Sequence, residues 1–387
     1  MAKTQKPLME AQAVSTPQVR YQRIVVKIGT NVLTAGTDRL DLEVMSSLVG
    51  QVARLHRQGK DVLIVSSGAI ACGRHRLGTT KERKDIPFRQ VLASVGQTYL
   101  MQAYDELFAW HDIVIAQTLL TKRDLADRQG YLNARNTLLA LLEARAVPIV
   151  NENDVVAVEE IEGVKIGDND SLSALVTNLV DADLLVLLTD QGGLFTADPR
   201  LHPDARLIQR VDHIDEEIEQ LAGEGGERGV GGMTTKIQAA RLATSGGTHV
   251  VIADGREKDV LVRLAEGEAL GTLFAATVDR LESRKRWMLT GLSLKGSIVV
   301  DAGAARALRQ EKRSLLPAGI RRVEGPFERG DAIAICDSEG QRIACGIASY
   351  GSSDIETIQG LRSERIGEVL GYQYGAEVVH RDNLVLL

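Results

Sequence analysis

RIVVKIGTNVL, residues 23–33, is a strand-length apolar run that carries Lys27 near its end and then breaks into a Gly-Thr-Asn turn. A lysine stem can lie along the flank of a strand while its head reaches water. A lysine at the end of a buried strand can also face a crevice and hold an anion, and the rest of the chain has to decide between the two. Similar runs follow at DVLIVS (61–66), IVIAQ (113–117), VPIVN (147–151), LLVLLT (184–189) and THVVIA (248–253), each read as a strand. Leu42, Met45, Leu48, Val49, Val52 and Leu55 recur at three and four residues, the spacing of a helix buried on one face, and Leu175, Val176, Leu179 and Val180 repeat it. This alternation, from residue 23 to about 275, predicts an α/β fold with a mostly parallel sheet covered on both faces. In open parallel sheets the ligand crevice lies beyond the carboxyl ends of the strands, so polar residues just after strands mark the candidate site.

The 387 residues exceed the usual ~100–200 per domain and suggest two cores. With 44% hydrophobic and 25% charged residues the composition is that of a globular protein. A formal charge of −6 gives no overall basic surface for nucleic acid, so any anion site must be local. Cys72, Cys336 and Cys345 are odd in number and widely spaced, which suits neither a disulfide framework nor a zinc knuckle and fits a reducing cytoplasm. The seven histidines form no HExxH or similar ligand pair. No apolar run approaches the ~18 residues of a membrane span. Residues 1–20 are polar, proline-punctuated and without an apolar signal core, and are expected to form a mobile tail. Beyond residue 276, ATVDRLESRKRWMLTG lacks a strand signal and reads as a connection. After it, SIVVDAGAARALRQEKRSLLPAGI and GDAIAICDSEGQRIACGIASYGSSDI read as short strands, one helix and glycine turns, a small β-rich barrel.

Five polar stretches lie at the strand ends. In SSGAIACG (66–73), Ser66, Ser67 and Gly68 enter a helix start, where they can hold a carboxylate or phosphate or act as an ordinary serine N-cap. VPIVNENDVVAV crowds Asn151, Glu152, Asn153 and Asp154 at a buried strand's end, and Asp154 could bind an ammonium group. VKIGDNDSLSALV brings Gly167, Asp168, Asn169 and Asp170 to a helix head, where one can cap and another can orient ammonium groups that hold phosphate. LLTDQGGLFTADPR places Thr189 and Asp190 at a further strand end, suited to adenosine. GERGVGGMTTKIQAA enters a helix through Thr234, Thr235 and Lys236; its glycines admit a polyphosphate and its lysine adds a positive charge, against the alternative of a flexible hairpin. Neither GxxxxGK[ST] nor GxGxxG occurs where a nucleotide fold would need it. Lys27 and Lys236 can meet over one phosphate if both strand ends open into one crevice, and phosphoryl transfer asks mainly for positioning and charge neutralisation.

VVKIGTNVLT, IVSSGAIACGR, VGQ (95–97), LNARNT, PIVNENDVVA, KIGDNDSLSALV, LLTDQGGLFTADPR and GGMTTKIQAA occur in this order. The ordered set resembles the glutamate 5-kinases (γ-glutamyl kinases) of the amino acid kinase family over residues 23 to about 275, and a PUA-like domain ending GYQYGAEVVHRDNLVL extends the likeness to the C-terminus. The resemblance implies an αβα sandwich that phosphorylates the γ-carboxylate of L-glutamate with Mg-ATP and so opens proline biosynthesis. It implies a tail at 1–20, an amino acid kinase domain at 21–275, a linker at 276–290 and a PUA-like domain at 291–387. Lys27 would contact the ATP phosphates, Lys236 would stabilise the transferring phosphoryl group, and Asp170 would hold both lysines in register. Ser67, Asp154 and Asn169 would bind glutamate. Thr189 and Asp190, with Val230, Gly231, Gly232, Met233, Thr234, Thr235 and Lys236, would line the ATP site; Val230 stands where relatives often place a threonine, so its contact would be through backbone. Mg²⁺ would be held mainly by phosphate oxygens, with no protein metal cage. Members are typically inhibited by proline, assemble as dimers or tetramers, and pass their acyl phosphate to glutamyl phosphate reductase.

Two other readings stay open at this level. One is another amino acid kinase, acting on aspartate, N-acetylglutamate or carbamate, against which NENDVVA and the second domain argue. The other is an RNA-binding PUA protein, although residues 291–387 carry 12 basic and 13 acidic side chains and so offer no net positive surface. A dinucleotide oxidoreductase lacks its glycine fingerprint.

Overall fold

The run that carries Lys27, Arg23–Ile28 (β1), sorts its side chains by alternation. Ile24, Val26 and Ile28 join one hydrophobic core and Val25 joins another, so the lysine two residues on shares the face of Val25. The structure is a computed structural model and describes residues 21–37, 39–78, 85–157, 169–223, 232–277 and 294–387. The expected tail and nearly all of the expected linker lie outside these residues.

After β1 the chain forms α1 (Thr30–Leu33), α2 (Leu42–Arg57), β2 (Asp61–Ser66), α3 (Ala69–Arg76), α4 (Ile86–Ala109), β3 (Ile115–Leu120), α5 (Lys122–Ala126), α6 (Arg128–Glu143) and β4 (Val147–Glu152). It continues through α7 (Asn169–Leu179), β5 (Leu184–Thr189), β6 (Arg210–Val211), α8 (Glu216–Gly223), α9 (Met233–Ser245), β7 (His249–Asp254), α10 (Val260–Ala265) and β8 (Thr272–Phe274). The eight strands form one sheet in the order β3-β4-β2-β1-β5-β7-β8-β6, parallel except where β8 runs against β7. Residues of α2, α4 and α10 fill the core on one face, and residues of α6, α7 and α9 fill the other. Burial on both faces explains why β5 is apolar throughout: all six residues of LLVLLT are buried. Each helix has its own local cause. In α2, Asp41 caps by accepting from the Glu43 and Val44 amides, while Arg54, His56 and Arg57 occupy the last turn, where the helix dipole favours cations. Among the described residues no helix is long and apolar enough to cross a membrane.

The strands at 23–28, 61–66 and 184–189 fall where the sequence places them, the one at 147 runs one residue longer, and the one at 248 is displaced by one residue at both ends. The third does not: it is Ile115–Leu120 rather than 113–117. As the outermost strand it has no neighbour on one side, so polar Gln117 and Thr118 extend the ladder while Val114 is 71% exposed. β6 and β8, two and three residues long, are too short to leave a pattern. Leu42, counted in the apolar stripe of α2, is 55% exposed because it sits in the first helical position, beyond the edge of the core.

The second module comprises β9 (Gly296–Val300), α11 (Ala302–Glu311), β10 (Ile320–Glu324), β11 (Ala332–Cys336), β12 (Arg342–Ile347), α12 (Ser352–Ile358), α13 (Ile366–Leu370) and β13 (Leu384–Leu386). Its five strands pair in the order β10-β9-β11-β12-β13 around a separate core. The single expected helix is α11; α12 and α13, seven and five residues long, were not anticipated. Leu132 of α6 packs with Cys345, Ile347 and Val385, and Arg128 pairs with Asp331 at 3.2 Å, so the second module is seated on α6.

The contact that most constrains the site is between α3 and α4. A Cβ on Gly96 would overlap the Ala69 carbonyl oxygen, and one on Gly73 would overlap the Leu92 carbonyl, so the two backbones touch with no side chain between them. Gly96→Ala should therefore destabilise the chain by about 1–3 kcal/mol or more, the usual range for overpacking. Thermal or urea unfolding reads this, and an unchanged midpoint would show that the helices can separate freely.

Candidate active site

Following the alternation of β1 to its end leads to Lys27, which is only 6% exposed. Its ammonium lies 2.6 Å from Asp170 Oδ1. Asp170 projects from the first turn of α7 and is fully buried. Its other oxygen, Oδ2, accepts from Lys236 at 3.2 Å and from the Thr235 hydroxyl at 2.9 Å. Lys236, in the first turn of α9, is also 6% exposed. The two lysines, far apart in the chain, thus meet on one carboxylate. Burial pushes the Asp170 carboxyl up; attraction to Lys27 and then to Lys236, with hydrogen bonds from Lys27 and Thr235, outweighs it and holds the group well below the usual carboxylate range. A depressed folded pKa stabilises the fold above the unfolded value, and this contribution is lost only as pH falls through the folded value.

On one side of this cluster lies the start of α9. Gly232 is its N-cap, extended and without a side-chain cap bond, which leaves amide groups of the first turn as anion donors. Met233 packs its side chain on the core, and the Thr234 hydroxyl donates to the Ala222 carbonyl, so these two can offer a ligand only backbone. Thr189 ends β5, and its hydroxyl donates to Asp190 Oδ1, while Asn31 Nδ2 donates to Asp190 Oδ2 at 3.0 Å. Burial pushes the Asp190 carboxyl up, but these bonds, Asn31 first, bring it below its ordinary value. At Gly29 a Cβ would stand 3.9 Å from the Lys27 ammonium, so glycine there keeps the approach to that cation clear. Val230 and Gly231 lie outside the described residues.

On the other side is a cavity of about 560 Å³ lined by residues that include Thr30, Ser67, Arg74, Arg89, Asn151, Asp154 and Asn169. The three residues expected to bind substrate, Ser67, Asp154 and Asn169, all face it. Neither serine caps α3: the N-cap is Gly68 at φ 98°, a left-handed conformation that glycine adopts at little cost. The Ser67 hydroxyl accepts instead from Asn169 Nδ2 at 3.0 Å, and the Ser66 hydroxyl meets the Tyr104 hydroxyl at 3.0 Å. Asn169 Nδ2 also approaches the Ser66 carbonyl and Asn151 Oδ1, and Asn151 Nδ2 donates to Gln97 Oε1 at 2.8 Å. Among the described residues Asn169 Oδ1 is buried with no hydrogen-bond partner, an acceptor left over beside the cavity. Gln97, Arg74, Arg89 and Asn31 had not been singled out individually. Gln97 lies in the quoted VGQ, Arg74 ends IVSSGAIACGR and Asn31 lies in VVKIGTNVLT, but the place of each depends on groups from other elements; Arg89 carries no local signal. The loop Asn153–Ala157 that presents Asp154 is tied to β3 through the Asn153 amide and the Leu120 carbonyl.

A crevice at the carboxyl ends of parallel strands, with two cations held on one carboxylate between a helix N-terminus and a polar cavity, has the form of a phosphotransferase centre. The family model described as Amino acid kinase family matches residues 22–254, and that of the PUA domain matches 296–370. The chain belongs to the amino acid kinase family, and within it to the glutamate 5-kinases. It is 54% identical to the glutamate 5-kinase of Dehalococcoides mccartyi (strain CBDB1), over 95% of this chain and 99% of that one. The glutamate 5-kinase of Herpetosiphon aurantiacus is 54% identical over 94% and 98%, and that of Pelobacter propionicus 48% over 95% and 98%.

Asp170→Asn would leave two nearly buried ammonium groups facing a neutral amide. Breaking a buried ion pair in this way costs about 3–5 kcal/mol, which urea unfolding should register as a lower midpoint at unchanged slope. A cost below ~1 kcal/mol, the range of an exposed pair, would mean that solvent already screens the cluster.

Proposed function

We propose that this chain transfers the γ-phosphoryl group of ATP to the γ-carboxylate of L-glutamate, giving L-glutamyl 5-phosphate, the first step of proline biosynthesis. The observation that carries the reading is the pairing of Lys27 and Lys236 on Asp170 at the boundary between the α9 N-terminus and the cavity. The full-length glutamate 5-kinase relatives support glutamate over aspartate, N-acetylglutamate or carbamate. The balance of 12 basic and 13 acidic residues across 291–387 weighs against RNA as the substrate. In this reading the kinase domain spans 21–275, the linker 276–290 and the PUA-like domain 291–387.

The attacking carboxylate, with an ordinary pKa of about 4.3, is ionised at neutral pH, so no side chain has to remove a proton. Asn169, Ser67 and Asp154 position the amino acid so that one γ-carboxylate oxygen faces the γ-phosphorus in line. Lys27 contacts the β- and γ-phosphate oxygens, and Lys236 neutralises charge that spreads over the phosphoryl group as it moves. Asp170 keeps both ammonium groups aimed and touches neither reactant. Thr189, Asp190 and the backbone of Gly232 to Thr235 hold the nucleotide, with Val230 and Gly231 assigned to the same site. Mg²⁺ would add charge neutralisation on the phosphates, which together with water supply most of its ligands. The acyl phosphate product hydrolyses readily, which suits transfer to a glutamyl phosphate reductase in the cytoplasm. Proline as feedback inhibitor and a homodimer or homotetramer complete the reading.

Trapping the acyl phosphate with hydroxylamine, in the presence of ATP and Mg²⁺, tests it directly. L-Glutamate should give hydroxamate, and aspartate and N-acetylglutamate much less. Lys236→Ala should lower turnover at least ~100-fold, the scale of losing one preorganised charge-stabilising contact, while circular dichroism stays native. Wild-type-like turnover in that variant would remove the lysine from the mechanism. Deleting residues 1–20 should leave turnover intact; a large loss would assign the tail a part in the site.

A further inference from the structure

The cavity beside Asp170 contains more positive charge than the expected substrate residues account for. Arg74 stands in the last turn of α3, four residues after Ile70, and both line the cavity. Among the described residues its guanidinium has no ion-pair or hydrogen-bond partner, whereas Arg89, which lines the same cavity from α4, is already engaged. Helical side chains lean toward the helix N-terminus, so Arg74 leans over Ile70 toward the turn that carries Ser67. The acidic residues Glu152 and Asp154, at the end of β4 and in the loop after it, also line the cavity.

We propose that Arg74 binds the α-carboxylate of the amino acid substrate, an assignment that rests on the glutamate reading above. The γ-carboxylate must lie at the inner end of the cavity, beside Ser67, because the Ser67 amide is bonded to the Ile28 carbonyl in the residue after Lys27. Arg74 is about 7.5 Å along the helix axis from Ala69, at the outer end, where the other end of the five-carbon substrate would lie. Asp154, the expected ammonium ligand, lines the same cavity, so the pocket contains charges of both signs, as the head group does. A guanidinium also fits a planar carboxylate in two-point geometry. The competing account is that Arg74 serves only the dipole at the end of α3. His75 and Arg76 share that last turn and would serve it equally, yet neither lines the cavity.

L-Isoglutamine, the α-amide of glutamate, separates the two accounts because it keeps the ammonium and the γ-carboxylate and lacks only the charge assigned to Arg74. Initial rates are measured for both compounds with the full-length chain, Arg74→Ala, Arg74→Lys and Arg76→Ala. Loss of one charge-assisted contact made equally in ground and transition states should raise KM for glutamate about 10- to 100-fold, with kcat nearly unchanged. The kcat/KM for isoglutamine should move by less than about 3-fold in the same variant. Arg74→Lys should recover part of the glutamate loss, and Arg76→Ala should change neither substrate. An unchanged KM for glutamate in Arg74→Ala overturns the assignment, as does an equal loss on both compounds. Wild-type turnover of glutamate is read first: its absence refutes the glutamate reading itself, while turnover with a flat Arg74 series refutes only the role of Arg74.

Discussion

A carboxylate with no contact to solvent, shared by two ammonium groups, is the interaction on which the active site depends. Removing three charges from water is costly, and a single carboxylate cannot neutralise two lysines. The cluster therefore retains one unit of positive charge in a medium where charge is weakly screened. That excess makes the cluster poor value as a stabilising device and good value as an anion trap. It also fixes geometry: β1, α7 and α9 each contribute one member, so the end of the central strand and the heads of two helices on the same face cannot slide without separating charges.

The substrate side is built on the opposite principle. Ser67, Asn151, Asn169 and Gln97 are neutral, and their hydrogen bonds define orientation without adding field. The charged side chains that line the cavity are Arg74, Arg89, Glu152 and Asp154. The division suits a reaction in which the acceptor arrives already ionised: near the phosphorus a negative side chain would repel both reactants, whereas neutral amides can direct a carboxylate without competing for it. Among the described residues Asp170 is the acid that pairs with both lysines, its oxygens occupied by them and by Thr235, while Asp190 lies near enough to Lys236 to feel its charge.

Much of this arrangement is legible in the sequence, and the reasons differ by residue. The central strands are plain because burial on both faces demands unbroken apolar runs, and a lysine inside such a run is conspicuous. Lys27 at a strand end, with Asp170 and Lys236 at helix starts, are therefore recognisable as candidate members of one site. The edge strand β3 was misplaced because its free side tolerates Gln117 and Thr118. The turn at Ser66–Gly68 looked like a serine cap, since nothing local reveals that Gly68 takes the left-handed conformation and frees Ser67 for Asn169. Arg74 is one of three basic residues in a row in sequence terms, and only the packing of α3 against α4 turns it toward the cavity. Gln97 acts through a partner on β4, a relation that no spacing along the chain encodes.

The glycine contact between α3 and α4 carries a mechanical meaning. Packed side chains between two helices can change rotamer and absorb a displacement; two backbones in direct touch cannot. The 24-residue α4 and the turn at Ser67–Ala69 therefore behave as one stiff lever, whose far arm reaches the surface at Trp110. A displacement along that arm would reach the turn that carries Ser67.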